Sequence, residues 1–245
     1  MNLKRLYFIL TLLFVYIILF EFILPVNKIL PKPSILLETI PVLFKDYGVL
    51  KAVAVTTSAV YICMIIGYLL VEWFAGAIFR FYKTVPQVLS VMKVFIYIPL
   101  FVYAVLFAFW FPESILAEFL FLFILTMSFM KIKVMLLGKK VSEEYVLSSA
   151  SLGLSEKEYG KKVVWKFVQP GFFRSLKNLH LNLWLFALVY EYIGGSFGLG
   201  SVFNTALHFN DFSGVVILSL MAAILIWVGE LIIRFFEKRI IHWES

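Results

Sequence analysis

The chain has 245 residues, 62% of them hydrophobic and 15% charged, with a formal net charge of +7. A soluble globular chain carries about 45–50% apolar and about 25% charged residues, so here the surplus apolar side chain must be solvated by lipid, in keeping with a mean hydropathy of +0.97. In a soluble protein this basic balance would point to nucleic acid, but no basic patch is interleaved with aromatics on a polar face, so nucleic acid is excluded as a partner.

In chain order, Met1–Arg5 is basic and Leu6–Leu24 is apolar. The apolar run is longer than a signal-peptide core and no small-residue cleavage site follows it, so it reads as a retained first membrane helix. About 20 apolar residues cross a bilayer core. Five further stretches meet that length: Val53–Ile78, Val85–Phe109, Ile115–Leu136, Leu176–Ile193 and Gly214–Phe235. None alternates as a ten-residue barrel strand would, so helices are expected. Between the spans, Val26–Leu50 contains Pro31, Pro33 and Pro41 and reads as an outer connection. Phe111–Ser114 reads as a short outer turn, and Gly194–Ser213 as a Gly-rich outer connection.

The expected fold is an all-α integral membrane protein of about six transmembrane helices. It forms one domain over residues 1–245, with a polar segment between helices 4 and 5. That segment, 137–175, is charged but carries spaced apolar residues from Tyr145 to Val164, the pattern of one or two short amphipathic helices. Ser142 before Glu143 and Glu144 marks a helix start. Gly153 and Gly160 read as punctuation, and Pro170-Gly171 as a break before the fifth span.

Lysine and arginine set the orientation. With the N-terminus cytoplasmic, 17 fall in inner segments, ten of them between Lys131 and Lys177. Only four, Lys28, Lys32, Lys45 and Lys51, fall outside, and Lys93 lies within a span. This bias places both termini in the cytoplasm.

No residues assemble for catalysis, for a metal or for a cofactor. His180, His208 and His242 are scattered, and the one cysteine, Cys63, sits in an apolar run as a small hydrophobe. A phosphate-cradling loop needs G-x-x-x-x-G-K-[ST]; the nearest string, Gly153 to Lys162, has the wrong spacing and ends in Lys. No ATP site is therefore expected in this chain. Charges inside spans are costly, by about 2.5–3.5 kcal/mol at mid-helix, and face protein or water. They are Glu72, Lys93, Glu118, Glu191 and Glu230. Glu191 precedes the Gly194-Gly195 break and is the candidate for substrate pathway or gating. The other reading is a buried carboxylate bonded to the backbone of the Gly-rich turn. Gly194 and Gly198 have the spacing that permits close helix contact.

The polar segment carries a further pattern. Leu147-Ser148-Ser149-Ala150-Ser151-Leu152-Gly153-Leu154-Ser155, followed by Gln169-Pro170-Gly171, resembles the coupling loop of ABC importer permeases. The nearest match is the nitrate/sulfonate/taurine type, with its E-A-A-x-[ST]-L-G-[AL]-S run. Leu30-Pro31-Lys32-Pro33-Ser34, Ile98-Pro99-Leu100, Trp110-Phe111 and Tyr190-Glu191 before Ser196-Phe197-Gly198-Leu199-Gly200 resemble further motifs of that family, in order. Two positions depart from it: Leu147 stands at the family's Glu, and Trp165-Lys166 at its first Leu-Pro.

The resemblance implies a permease subunit in a bacterial or archaeal cytoplasmic membrane, acting on a small solute. Its implied partners are a second permease copy, a pair of cytoplasmic ATPase subunits that carry the ATP and magnesium, an extracytoplasmic solute-binding protein and membrane lipid. Coupling falls to Leu147, Ser148, Ser149, Ser151, Leu152, Gly153 and Leu154, and the pathway or gate to Glu191, Pro99, Gly194 and Gly198. A self-contained secondary transporter and a non-transporting membrane scaffold are the alternatives; no internal repeat supports the first.

Overall fold

The computed structural model describes residues 3–24, 31–84, 99–194 and 197–241, and every regular element among them is helical. Helix α1 (Leu3–Ile17) continues as a π-helical turn, Ile18–Ile23, where the first span is expected. Helix α2 (Pro33–Lys45) lies in the segment read as a connection. Its prolines are compatible with helix because Pro33 occupies the first turn, where its missing N–H has no partner to lose. Only Pro41 lies inside. Leu43 is fully buried, and α2 packs against the C-terminal helix.

Helix α3 (Val49–Thr84) is the longest, and α4 (Leu100–Trp110) supplies the second half of the third expected span. Residues 85–98, with Lys93, lie outside the described residues. Helix α5 (Ile115–Gly138) starts at Ser114, whose Oγ accepts from the Ala117 N–H at 3.2 Å. After α6 (Glu143–Ser151) and α7 (Glu156–Tyr159), a π-turn (Gly160–Val164) leads into α8 (Trp165–Gly194). Helix α9 (Gly198–His208) occupies the Gly-rich connection, and α10 (Phe212–Ile240) closes the bundle. Asp211 caps α10, accepting from the Gly214 N–H at 2.8 Å.

Three of these helices are long and apolar enough to cross a bilayer: Val49–Ile78, Ile115–Gly138 and Phe212–Ile240. Gly160–Gly194 with Gly198–His208 qualifies as a bent pair, and Leu10–Ile23 and Phe101–Trp110 are shorter apolar helices. Among the described residues, therefore, three helices, or four with the bent pair counted as one, have the length to cross, and the first and third expected spans coincide only with shorter apolar helices. Exposed side chains such as Trp73, Phe109, Leu116 and Trp227 face outward, as lipid contact requires.

Three expectations are corrected. Pro170-Gly171 does not break the chain: α8 runs through it. A proline here removes one ladder hydrogen bond, but Pro170 and its neighbours are buried against other helices, and burial outweighs the lost bond. Gly160 is not punctuation either; it sits inside a helical turn and lets the chain close on Gly76 of α3, whose Cα a side chain at 160 would strike. Finally, the two segments read as connections contain helices, α2 and α9. Gly153 does end α6 as expected, in the left-handed region at φ +67°.

The centre of the bundle is held by α3 and α8 around α5. Its largest polar insertion is His180, fully buried, whose Nε2 accepts from Trp184 Nε1 at 2.9 Å and lies 3.0 Å from the Tyr61 hydroxyl. Gly229 of α10 makes room for both rings: a Cβ there would overlap the Tyr61 hydroxyl and press on the His180 imidazole. Gly229→Ala is therefore expected to lower the stability of the solubilised protein by about 1–3 kcal/mol, the usual cost of overpacking. Adding Tyr61→Phe should recover part of that loss, because the colliding hydroxyl is gone. Thermal unfolding of the single and double variants measures both effects.

Candidate functional site

Glu191 lies near the end of α8, 2% exposed, in an apolar bundle. Its carboxylate must collect donors there, since an unpaired buried charge is prohibitive. Thr56 of α3 provides one: its Oγ1 is 2.6 Å from Glu191 Oε1. The backbone of α9 provides another, Gly200 N to Glu191 Oε2 at 2.8 Å. Thr56 Oγ1 in turn accepts from Leu199 N at 2.8 Å. The hydroxyl has a single proton; the Ala52 carbonyl at 3.2 Å is the longer alternative, so the carboxylate takes it.

These contacts also complete α9. Its N-cap residue, Phe197, has no side-chain acceptor for the first free N–H groups. Thr56 and Glu191, on two other helices, fill that role, and the negative carboxylate sits at the positive end of the helix. The approach requires glycine twice. Gly198 has φ +83° and any Cβ on it would collide with the Glu191 carboxyl. A Cβ on Gly200 would strike the Leu188 carbonyl.

Glu118 of α5, also 2% exposed, lies beside Glu191 at a small pocket. The two carboxyls line it with Glu113, Ser114, Tyr190, Gly194 and Phe197. Of the expected pathway residues, Glu191, Gly194 and Gly198 thus come together. Pro99 does not: it caps the far end of α4, eleven helical residues from this pocket. That is about 16 Å at helical rise. Thr56 and Gly200 were not singled out from sequence, because a Thr inside an apolar helix and a Gly in a Gly-rich turn each have commoner roles. Glu118 was recognised only as a costly charge.

At the opposite end of α8, α6 presents Leu147 (70% exposed) and Leu152 (77% exposed), with Ser148, Ser151 and Gly153 also exposed. Leu154 is half-buried and Ser149 buried. Ser155 and Glu158 form a reciprocal cap at the start of α7, Glu158 N to Ser155 Oγ at 3.4 Å and Ser155 N to Glu158 Oε2 at 3.2 Å. Lys162 at 2.9 Å, with Ser155, holds the Glu158 carboxyl down to about 2. Trp165 Nε1 donates to Glu72 Oε1 of α3 at 3.2 Å.

A bundle of apolar helices that projects one short, exposed helical segment, with Glu118 and Glu191 buried near its other end, defines a membrane-embedded transport subunit. The family model described as "Binding-protein-dependent transport system inner membrane component" matches residues 5–242, and the chain belongs to that family. It is a permease subunit of an ABC transporter, a multi-pass protein of a cell inner membrane, in a family of transporters rather than enzymes. No match was found among curated proteins or among solved structures.

Thr56→Val removes the donor to Glu191 and the acceptor for Leu199 N together. Its expected cost is about 1–3 kcal/mol, or roughly 2–4 °C per kcal/mol in a chain of this size. Thr56→Ser should stay near wild type, since it keeps both bonds. Thermal unfolding of the solubilised protein compares them.

Proposed function

We propose that this chain forms the translocation pathway of an importer of the nitrate/sulfonate/taurine type, for a small solute delivered by an extracytoplasmic binding protein. Two copies line the pathway, and a pair of separate ATPase subunits docks on the cytoplasmic side. Both termini and the segment 137–175 face the cytoplasm in this reading. The observation that carries it is α6: a short helix with exposed Leu147 and Leu152, ended by the left-handed Gly153, placed between two helices of the membrane bundle. A peripheral ATPase can move membrane helices only through a stiff projecting element, and an amphipathic helix seated in a groove is such an element.

The segment is also braced. Gly160 packs on Gly76, and Trp165 bonds Glu72, so a push on α6 reaches α3 and α8 together. Those two helices carry Thr56 and Glu191 at their other ends. Closure of the cytoplasmic side would in this way reach the Glu191 contacts, with Gly194 and Gly198 allowing α8 and α9 to shift. Pro99, at the start of α4, has a place in the pathway only through the family resemblance.

A tagged chain expressed in its native host should retain an ATPase through purification; a chain that never does so removes the proposal and favours the secondary-transporter or scaffold readings. Gly153→Asp should lower solute-stimulated ATP hydrolysis severalfold while membrane insertion stays normal. Unchanged coupling would exclude α6 as the docking element.

Orientation is testable separately. In a Cys63→Ala background, Leu152→Cys should react with an impermeant maleimide only in inverted vesicles. Labelling in intact cells would reverse the proposed topology.

A further inference from the structure

The pocket beside Glu191 contains an acceptor that the hydrogen-bond scheme leaves unused. Glu118 is 2% exposed, and its Oε1 has no hydrogen-bond partner. It faces the same small pocket as Glu191. Ionised carboxylates only accept, and two of them facing each other in an apolar bundle repel strongly. A proton shared between the facing oxygens relieves that repulsion but leaves Glu118 Oε1 without a partner, which a bound donor would fill. Glu191 already receives Thr56 and Gly200 N–H, but Glu118 receives neither.

Among the described residues, the groups around the pair supply no cation. From α3 come Thr56 and Cys63, whose Sγ is bonded to the Phe119 carbonyl at 3.4 Å. From α8 comes Tyr190, whose hydroxyl lies 3.5 Å from the Phe111 carbonyl. From α9 come backbone N–H groups, and the turn before α5 adds Glu113 and Ser114. The ion pairs Lys162–Glu158, Lys177–Glu237 and Arg234–Glu230 lie elsewhere. The pocket is thus net acidic. The described His, Cys, Asp and Glu do not converge as ligands for a metal ion. Tyr190 and Phe197 bring aromatic rings to the lining, which suits a soft cation rather than a strongly hydrated one.

We propose that Glu118 and Glu191 form a binding site for an N–H-bearing monocation whose donors bridge the two carboxyl groups. The cation is ammonium itself or the protonated amine nitrogen of a solute; only the second source rests on the pathway reading above. Bound there, it ties α5 to α8, and through Glu191 to α3 and the start of α9.

The test uses the full-length chain, with its ATPase where one is retained, at fixed pH and ionic strength. The thermal unfolding midpoint is followed against ammonium, methylammonium, tetramethylammonium, sodium and potassium chlorides. A saturable rise with ammonium or methylammonium, absent with the other three, is expected. Equal response to ammonium and methylammonium admits the solute amine, and ammonium alone restricts the site to the free ion. Glu118→Gln should fold, because its amide supplies the bridging N–H itself, and should lose the response. Should it fail to fold, Glu118→Asp keeps the charge but withdraws it by one methylene, and the apparent affinity should fall at least about tenfold. The proposal is overturned by a midpoint that follows pH alone, by equal effects of sodium, potassium or tetramethylammonium, or by an amine response that survives in these variants. An intact amine response in a chain that never couples to an ATPase would sink the pathway reading and leave the site standing.

Discussion

A carboxylate buried in an apolar bundle has to be surrounded by donors, and Glu191 draws them from outside its own helix. Thr56 on α3 and the first free N–H groups of α9 both converge on it. Each partner has its own need: the N-terminus of α9 lacks a side-chain cap, and the Thr56 hydroxyl lies in an apolar layer. One set of short bonds satisfies all three. Three helices therefore meet at one point, and none can move there without exposing an unpaired polar group to hydrocarbon.

Elsewhere the bundle is held by close approach rather than by polar bonds. A Cβ on Gly67 would strike Thr126, one on Gly229 would strike Tyr61 and His180, and one on Gly160 would strike Gly76. With little hydrophobic force between helices inside lipid, this kind of intimate packing supplies much of the association. It also makes the helices move as pieces. A Gly–Gly contact has no side chain to deform, so displacement of the 160 turn is passed directly to α3. The bundle thus has rigid contacts near the α6 end and a polar knot at the other, joined by the same two long helices.

Much of this was legible in the sequence because the strongest signals are those the bilayer imposes. Apolar length located the long helices, and Ser142 and Gly153 bracketed α6. The misses have a common physical origin. Pro170-Gly171 and Gly160 read as breaks, and Val26–Leu50 and Gly194–Ser213 as connections, where local propensity gave way to packing. In α8 neighbouring helices cover Pro170, whereas in α2 Pro33 sits in the first turn and Pro41 is exposed; in α9 two glycines serve contact with Glu191 and Leu188. The site was half visible. Glu191 stood out as a costly charge beside a glycine run, but its partners are distant in sequence, Thr56 by 135 residues. No local pattern announces a pairing of that kind.

The departure at Trp165-Lys166 shows why matching motifs is not enough. Proline at the first of the family's two sites would remove a backbone donor close to where the projecting segment joins the span and would loosen that junction. Here the chain instead continues from the Gly160–Val164 turn straight into α8, with the Trp165 backbone N–H bonded to the Gly160 carbonyl. The indole is buried, stacks edge-on against Phe172 and donates to Glu72. Lys166, at the proline's place, keeps a backbone N–H, and Trp165 beside it adds a cross-helix bond. The junction is consequently stiff, and Glu72, an expensive charge if left alone inside an apolar helix, acquires the donor that makes its position tolerable.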